Sequence, residues 1–242
     1  MSACGEAVTD FAIDDRVCGL LNFPAPGRCY AEQIRAKAEQ LAKVPEGVDL
    51  VAAGGLPLAG LTAWQALFDT AKLQSGQRVL ILAAAGGVGH LAVQLAKWKG
   101  AEVIGTASQA NQTFLQQLGC DQGIDYRSQT VAESVANVDV ILDCLGGDEG
   151  IKALTCLKPG GISVTLPSVT AAQVIEAAEA QGCRAASLRV LPSGEQLSLL
   201  MGLMAEGVLT LQVDKILPLA QAAEAHRYSE TGRARGKIIL AG

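Results

Sequence analysis

Little histidine and little aromatic surface mark this chain: two histidines and 4% Phe, Trp and Tyr among 242 residues. The low aromatic content argues against a stacking platform for single-stranded nucleic acid. Positive charge is not in excess either. A net charge of -5 gives no footprint for nucleic acid or for an anionic membrane surface. The start, Met1-Ser2-Ala3-Cys4-Gly5-Glu6, lacks the basic and apolar segments of a secretory leader, and no unbroken apolar run is expected to span a bilayer. The seven cysteines contain no C-x-x-C pair. An odd, scattered set reads as free thiols in a reducing compartment, so a cytoplasmic location is expected. No G-x-S-x-G nucleophile elbow, internal repeat or low-complexity segment is present.

What is abundant is apolar. Half the residues are hydrophobic and 18% are charged, enough for a well-buried core. The first fifty or so residues are punctuated by Pro24, Pro26, Gly27, Pro45 and Gly47, which suggests short β structure. From Leu61 the pattern alternates. A helix is predicted over 61–72, and further helices over 86–99 and 111–118. Apolar strands are predicted at Arg78–Ala83, Glu102–Thr106, Gly123–Tyr126, Val138–Leu142, Ile162–Leu166 and Ala185–Leu191, with Lys158-Pro159-Gly160-Gly161 as a turn. Near-continuous apolar strands separated by helices imply a parallel sheet covered on both faces, an α/β doubly wound dinucleotide-binding sheet. The tail reads as helices near 195–204 and 219–228 and a last strand at Lys237–Leu240.

The most informative segment is Arg78-Val79-Leu80-Ile81-Leu82-Ala83-Ala84-Ala85-Gly86-Gly87-Val88-Gly89, a strand, a glycine-rich turn and the start of a helix. Gly86 lets the backbone approach a pyrophosphate and Gly89 lets the helix pack closely on the strand. The helix start offers free N–H groups to the phosphates, with Gly87 and Val88 supplying them and Ala85 and Gly86 as further cofactor-binding candidates. Ala84 stands where the first glycine of G-x-G-x-x-G would be. After the second strand no Asp or Glu occurs from Val103 through Cys120, so the carboxylate that selects NAD is missing. Ser108 and Asn111 could hydrogen-bond a 2′-phosphate, and Arg127 is the nearest downstream cation. The inferred cofactor is NADPH. Ser108 could also cap the next helix, and the two roles are compatible.

Taken in order, Leu61-Thr62-Ala63-Trp64-Gln65-Ala66-Leu67, Ala84-Ala85-Gly86-Gly87-Val88-Gly89, Leu118-Gly119-Cys120-Asp121, Ile124-Asp125-Tyr126, Val138-Asp139-Val140-Ile141-Leu142-Asp143, Leu157-Lys158-Pro159-Gly160-Gly161 and Gly236-Lys237-Ile238-Ile239-Leu240 resemble the zinc-free quinone oxidoreductase branch of the medium-chain dehydrogenases/reductases. Ala84 at the first glycine position is usual in that branch. The resemblance implies a Rossmann NADPH-binding domain over residues 57–192. It implies a partial GroES-like, β-rich substrate domain over 1–56, to which 193–242 return. Val8 to Val17 resembles a segment well inside the family's GroES-like domain, so the chain reads as an N-terminally shortened member. Further roles follow from the resemblance: Ser108 and Tyr126 at the 2′-phosphate end, and Thr62, Cys144, Leu145 and Leu166 on the nicotinamide side. Arg235 is either a cofactor contact or a solvated charge. The strand 185–191 is expected to join two subunits into a homodimer.

Counting back from Thr62, Leu58 stands where zinc-dependent relatives carry a late cysteine ligand, and Leu58 cannot bind metal. Zinc is therefore not expected. Cys144, at a strand end, is either a reactive thiol or a buried, inert one, the inert reading being favoured, and Tyr30 is either a proton donor or a packed strand tyrosine. The activity implied is hydride transfer from NADPH to a small electron acceptor, a quinone or an α,β-unsaturated carbonyl. The alternatives are an enoyl-thioester reductase of the same superfamily and a non-catalytic NADPH-binding module.

Overall fold

The computed structural model describes residues 1–242. The chain divides into two compact units: Met1–Leu61 together with Val190–Gly242, and Thr62–Arg189.

The first unit opens with two short antiparallel strands, β1 (Val17–Gly19) and β2 (Leu41–Lys43). Helix α1 (Leu50–Trp64) follows and continues as a π-helical segment to Thr70. The sequence predicted this helix from Leu61; it starts at Leu50, where Asp49 Oδ1 accepts the Ala52 N–H at 2.9 Å. Helix α1 contains Gly54, Gly55 and Pro57, residues of low helix propensity, and tertiary packing overrides that preference. A Cβ on Gly55 would lie 2.6 Å from Ile239 Cδ1 and from Leu211 Cδ2, so the glycine lets apolar side chains seat against the helix. The stretch Leu50–Thr70 is also long and apolar enough to cross a bilayer by length and composition, contrary to the sequence reading. Over half of its most apolar window is buried inside the fold.

The second unit is built on β3 (Arg78–Ile81), α2 (Gly89–Trp98), β4 (Glu102–Ala107), α3 (Gln112–Gln117), β5 (Gln122–Asp125), α4 (Val131–Ser134), β6 (Val138–Asp143), α5 (Gly147–Ala153), β7 (Leu157–Thr165), α6 (Ala171–Ala180) and β8 (Arg184–Ser187). The six strands form one sheet in the order β5-β4-β3-β6-β7-β8, every neighbouring pair parallel. The chain winds outward from β3 to β5, then returns to the other side of β3 at β6. That reversal opens a crevice at the carboxyl ends of β3 and β6, where doubly wound sheets take ligands. The central strands are apolar on both faces because both are covered. Val79, Leu80, Ile81, Val103, Ile104 and Ile141 have no exposed surface, each contributing about 1.5–3 kcal/mol by burial.

At the amino end of the sheet Asp139 closes the gap between β3 and its neighbours. Its carboxylate accepts the Arg78 N–H at 2.9 Å and Gln77 Nε2 at 3.2 Å and pairs with Lys158. Burial works against its charge, but the Lys158 ammonium and the Arg78 amide outweigh it and hold the carboxyl below the usual range.

Two strand readings need correction. The expected turn at 158–161 lies inside β7: Gly160 takes φ 80° there, and the pairing register with β6 shifts between Val138 and Val140. The last strand of the sheet covers Arg184–Ser187, not Ala185–Leu191. Its partner β7 ends at Thr165, opposite Ser187, so the ladder has nothing to pair with beyond the Leu188 N–H.

The chain then returns to the first unit. Ser193 Oγ accepts the Gln196 N–H at 3.2 Å and caps α7 (Gly194–Ala205). Strand β9 (Val213–Pro218), which the sequence did not reveal, pairs parallel with β10 (Lys237–Ala241), and α8 (Ala222–Glu230) connects them.

Candidate functional site at the carboxyl edge of the sheet

The glycine-rich turn is fastened to strands on both sides. The Leu82 N–H donates to Leu142 O at 3.0 Å; those of Ala83 and Ala84 donate to Thr106 Oγ1 and Thr106 O at 3.0 and 2.9 Å. Ala83 is held at φ 52°, a left-handed conformation costing an L-residue about 1–2 kcal/mol, and the three bonds from β4 and β6 offset that strain. The turn also presses on β4. A Cβ on Gly105 would lie 2.9 Å from Ala84 Cβ, which explains a glycine inside an apolar strand.

Helix α2 begins at Gly89, not at Gly86. The Gly86 N–H donates to Ala83 O at 2.9 Å and closes a turn, so the amide of Gly86 is engaged while its bare Cα lies at the turn's surface. The amides that no protein group accepts from are those of Ala85, Gly87, Val88 and Gly89. Gly87, Val88 and Gly89 stand in succession at the head of a helix, whose dipole adds positive character there. Gly89 has the packing role expected of it: a Cβ would lie 2.7 Å from Ala84 Cα. The sequence reading missed two supports, Thr106 and His90. His90 is fully buried, and its Nδ1 lies 2.8 Å from Gly86 O. A carbonyl can only accept, so Nδ1 carries the proton. The signal was present as a histidine four residues beyond Gly86, one helical turn on.

The other candidates fall at strand ends along the same edge. Ser108 follows β4 and Tyr126 follows β5. The register pairs Ala107 with Asp125, so these two residues leave the sheet side by side. Asn111 donates its N–H to Ser108 O at 2.8 Å, and its Nδ2 lies 3.5 Å from Ser108 Oγ. Ser108 occupies the cap position of the following turn, yet its side chain accepts no capping bond. Past β6, Asp143 shapes the next loop. Its Oδ1 accepts the N–H groups of Leu145 and Gly146 at 2.9 and 2.8 Å, an Asx-type turn legible in Asp-x-x-Gly. Leu145 is exposed, and Leu166, after β7, donates its N–H to Asp143 O at 2.9 Å. Burial, with the Asp143 carboxylate adding, pushes the Cys144 thiol up to about 12, which makes it inert at neutral pH. Ala85, Gly86, Gly87, Val88, Ser108, Asn111, Tyr126, Cys144, Leu145 and Leu166 thus share one edge. Thr62 is half-buried near the end of α1, and Arg235 belongs to the other unit.

In that unit Tyr30 is exposed and outside any strand, against the packed-strand reading; its hydroxyl lies 2.8 Å from His226 Nε2. No group of three His, Cys, Asp or Glu side chains is placed to hold a metal ion.

Four similarities bear on this geometry. A family model described as zinc-binding dehydrogenase matches residues 118–240. The 2-haloacrylate reductase of a Burkholderia species is 36% identical over 98% of this chain and 76% of its own. Among solved structures, the quinone oxidoreductase from Coxiella burnetii superposes with a TM-score of 0.93 at 41% identity, covering 98% of this chain and 74% of that one. The CurK enoyl reductase does so with a TM-score of 0.83 at 30% identity, covering 99% and 76%. The order of the six parallel strands, the glycine turn at their reversal point and these similarities agree: the chain belongs to the medium-chain dehydrogenase/reductase family, as a quinone oxidoreductase-like enzyme of the pyridine-nucleotide-dependent kind.

Proposed function

We propose that this chain binds NADPH at the carboxyl edge of the sheet and serves zinc-independent reduction of a quinone or an α,β-unsaturated carbonyl. The observation that carries the reading is the run of unengaged amides of Gly87, Val88 and Gly89 at the head of α2. The site fits a dinucleotide on two further counts. A Cβ at Gly86 would crowd Ala83 O at 3.1 Å, so the glycine keeps the turn tight and its surface bare. No carboxylate follows β4 until Asp121, which lies at the opposite end of the sheet, tied to Lys97 and to the Val103 N–H.

When bound, the nucleotide supplies a hydride from its nicotinamide. The chain's own residues bind and orient. The amides of Gly87, Val88 and Gly89 hold the two phosphates. Ser108, Asn111 and Tyr126 receive the 2′-phosphate end. The loop Cys144-Leu145-Gly146, fixed by Asp143, and Leu166 form the wall beside the nicotinamide, and Thr62 is the remaining contact from this unit. The name of the zinc-binding model does not carry over in our reading, in which Leu58 stands at the position that the family resemblance gives to a late cysteine ligand and cannot bind metal. No step is assigned to a metal.

Likeness to the 2-haloacrylate reductase favours an activated alkene as acceptor, and likeness to the CurK enoyl reductase favours a thioester-linked one as the second reading. Fluorescence titration with NADPH, followed by turnover on small quinones, 2-haloacrylate and a crotonyl thioester, tests and separates these. Absence of NADPH binding defeats both. We also propose a homodimer joined through the free edge of β8; sedimentation at micromolar concentration showing only monomer rejects it.

A further inference from the structure

The turn after β4 carries Asn111 and Gln112, and neither is charged. A 2′-phosphate bears nearly two negative charges, and hydroxyl and amide groups alone discriminate weakly for it. The cations of unit 62–189 are distributed unevenly. Most open strands, as Arg78, Lys158 and Arg184 do, or close helices, as Lys97 and Lys152 do. All of those lie toward the amino end of the sheet. Only Arg127 and Arg189 follow a strand. Arg189 follows β8, three strands from β3 on the side away from β4 and β5, or about 14 Å at ~4.8 Å per strand. Arg127 follows β5, two strands and about 10 Å from the glycine turn. A ribose attached to a phosphate held at that turn comes within its reach.

The turn that carries Arg127 is already set. Asp125 Oδ1 accepts the Arg127 N–H at 3.1 Å and Oδ2 accepts Ser128 Oγ at 3.0 Å, while Gln129 Oε1 accepts the Asp125 N–H at 3.1 Å. Asp125 is thereby spent on the backbone and on Ser128, and the guanidinium of Arg127 enters no ion pair. Arg127 is exposed, with its Cζ 5.8 Å from the centre of the Tyr126 ring. A planar cation is therefore presented beside a phenol at the strand end next to Ser108.

We propose that Arg127 is the residue that selects NADPH over NADH in this protein, by pairing with the 2′-phosphate beside Tyr126 and Ser108. This rests on the reading of the glycine turn as a dinucleotide site. Guanidinium matches phosphate oxygens with two parallel donors, so the pair supplies both charge and orientation, and the loss of one such pair is worth about tenfold or more in affinity.

The test is titration of the full chain and of Arg127→Gln with NADPH, NADH, 2′-phospho-AMP and AMP at two salt concentrations. The expected result is wild-type preference for NADPH and for 2′-phospho-AMP, steeper in low salt. In R127Q both lose about tenfold or more, and NADH and AMP stay within about twofold, which also shows that the variant is folded. Unchanged NADPH affinity in R127Q overturns the assignment of Arg127 while leaving the dinucleotide site intact. Equal loss for all four ligands overturns it too, because the arginine would then be structural. A wild-type chain that binds none of them removes the dinucleotide site itself, and this inference with it.

Discussion

The imidazole Nδ1 of His90 lies 2.8 Å from the carbonyl oxygen of Gly86, so a side chain in the first turn of α2 grips the backbone of the glycine-rich turn from within the fold. His90 is fully buried, and removing its ring leaves that carbonyl without this donor and a space behind the turn. His90→Ala is expected to destabilise the protein by about 2–4 kcal/mol and to weaken NADPH binding, because the amides of Gly87 and Val88 lose their fixed direction. Urea unfolding and fluorescence titration measure the two effects; full NADPH affinity in the variant would show that the turn holds its shape without the histidine.

Two glycine-to-alanine changes should act in opposite directions. At Gly89 the added Cβ meets the Ala84 backbone at 2.7 Å, and neither side is a flexible chain end. Gly89→Ala is expected to cost about 1–3 kcal/mol or more and to displace the head of α2. At Gly202, within α7, a Cβ meets nothing within 4 Å. Gly202→Ala is expected to stabilise by about 0.5–1 kcal/mol through helix propensity and a stiffer unfolded chain. Thermal or urea denaturation of both proteins decides it, and a stable G89A contradicts the close approach of helix and turn.

Acid should loosen the amino end of the sheet. Asp139 has a folded-state carboxyl held below its ordinary value of 3.8. A group lowered in this way contributes stability above its unfolded pKa and loses it as pH falls through the folded one. The Asp139 contribution is therefore complete at neutral pH and fades below about pH 4. Asp139→Asn is expected to lower stability at pH 7 and to have little effect near pH 2. A constant difference between the two proteins across that range would assign the effect to packing instead.

Thiol chemistry should ignore the site. Burial pushes Cys18 and Cys144 up to about 12 and Cys120 up to about 11, whereas Cys4 and Cys29 are exposed. Brief maleimide treatment at pH 7 is expected to label Cys4 and Cys29 and to leave NADPH binding intact. Mass spectrometry of peptides gives the order, and early labelling of Cys144 with loss of binding would make that thiol part of the site.

The amino-acid sequence alone determined the alternation of apolar strands and helices from Arg78 onward, the glycine turn after β3 and the absence of acid after β4. Those features are local: strand runs, helix periodicity and missing side-chain types depend on neighbours in the chain. Tertiary structure decided what local pattern leaves open. Helix α1 runs through Gly55 and Pro57 because Leu211 and Ile239 pack against it. Strand β8 stops at Ser187 because β7 stops at Thr165, and β9 became visible only beside β10. The site was divided the same way. The sequence placed the free amides at Gly87 and Val88; the structure engages the Gly86 N–H with Ala83 O and adds Gly89 to the free set. Ala83 O reaches the Gly86 N–H because bonds to Thr106 and Leu142, on strands far away in the chain, hold Ala83 at φ 52°.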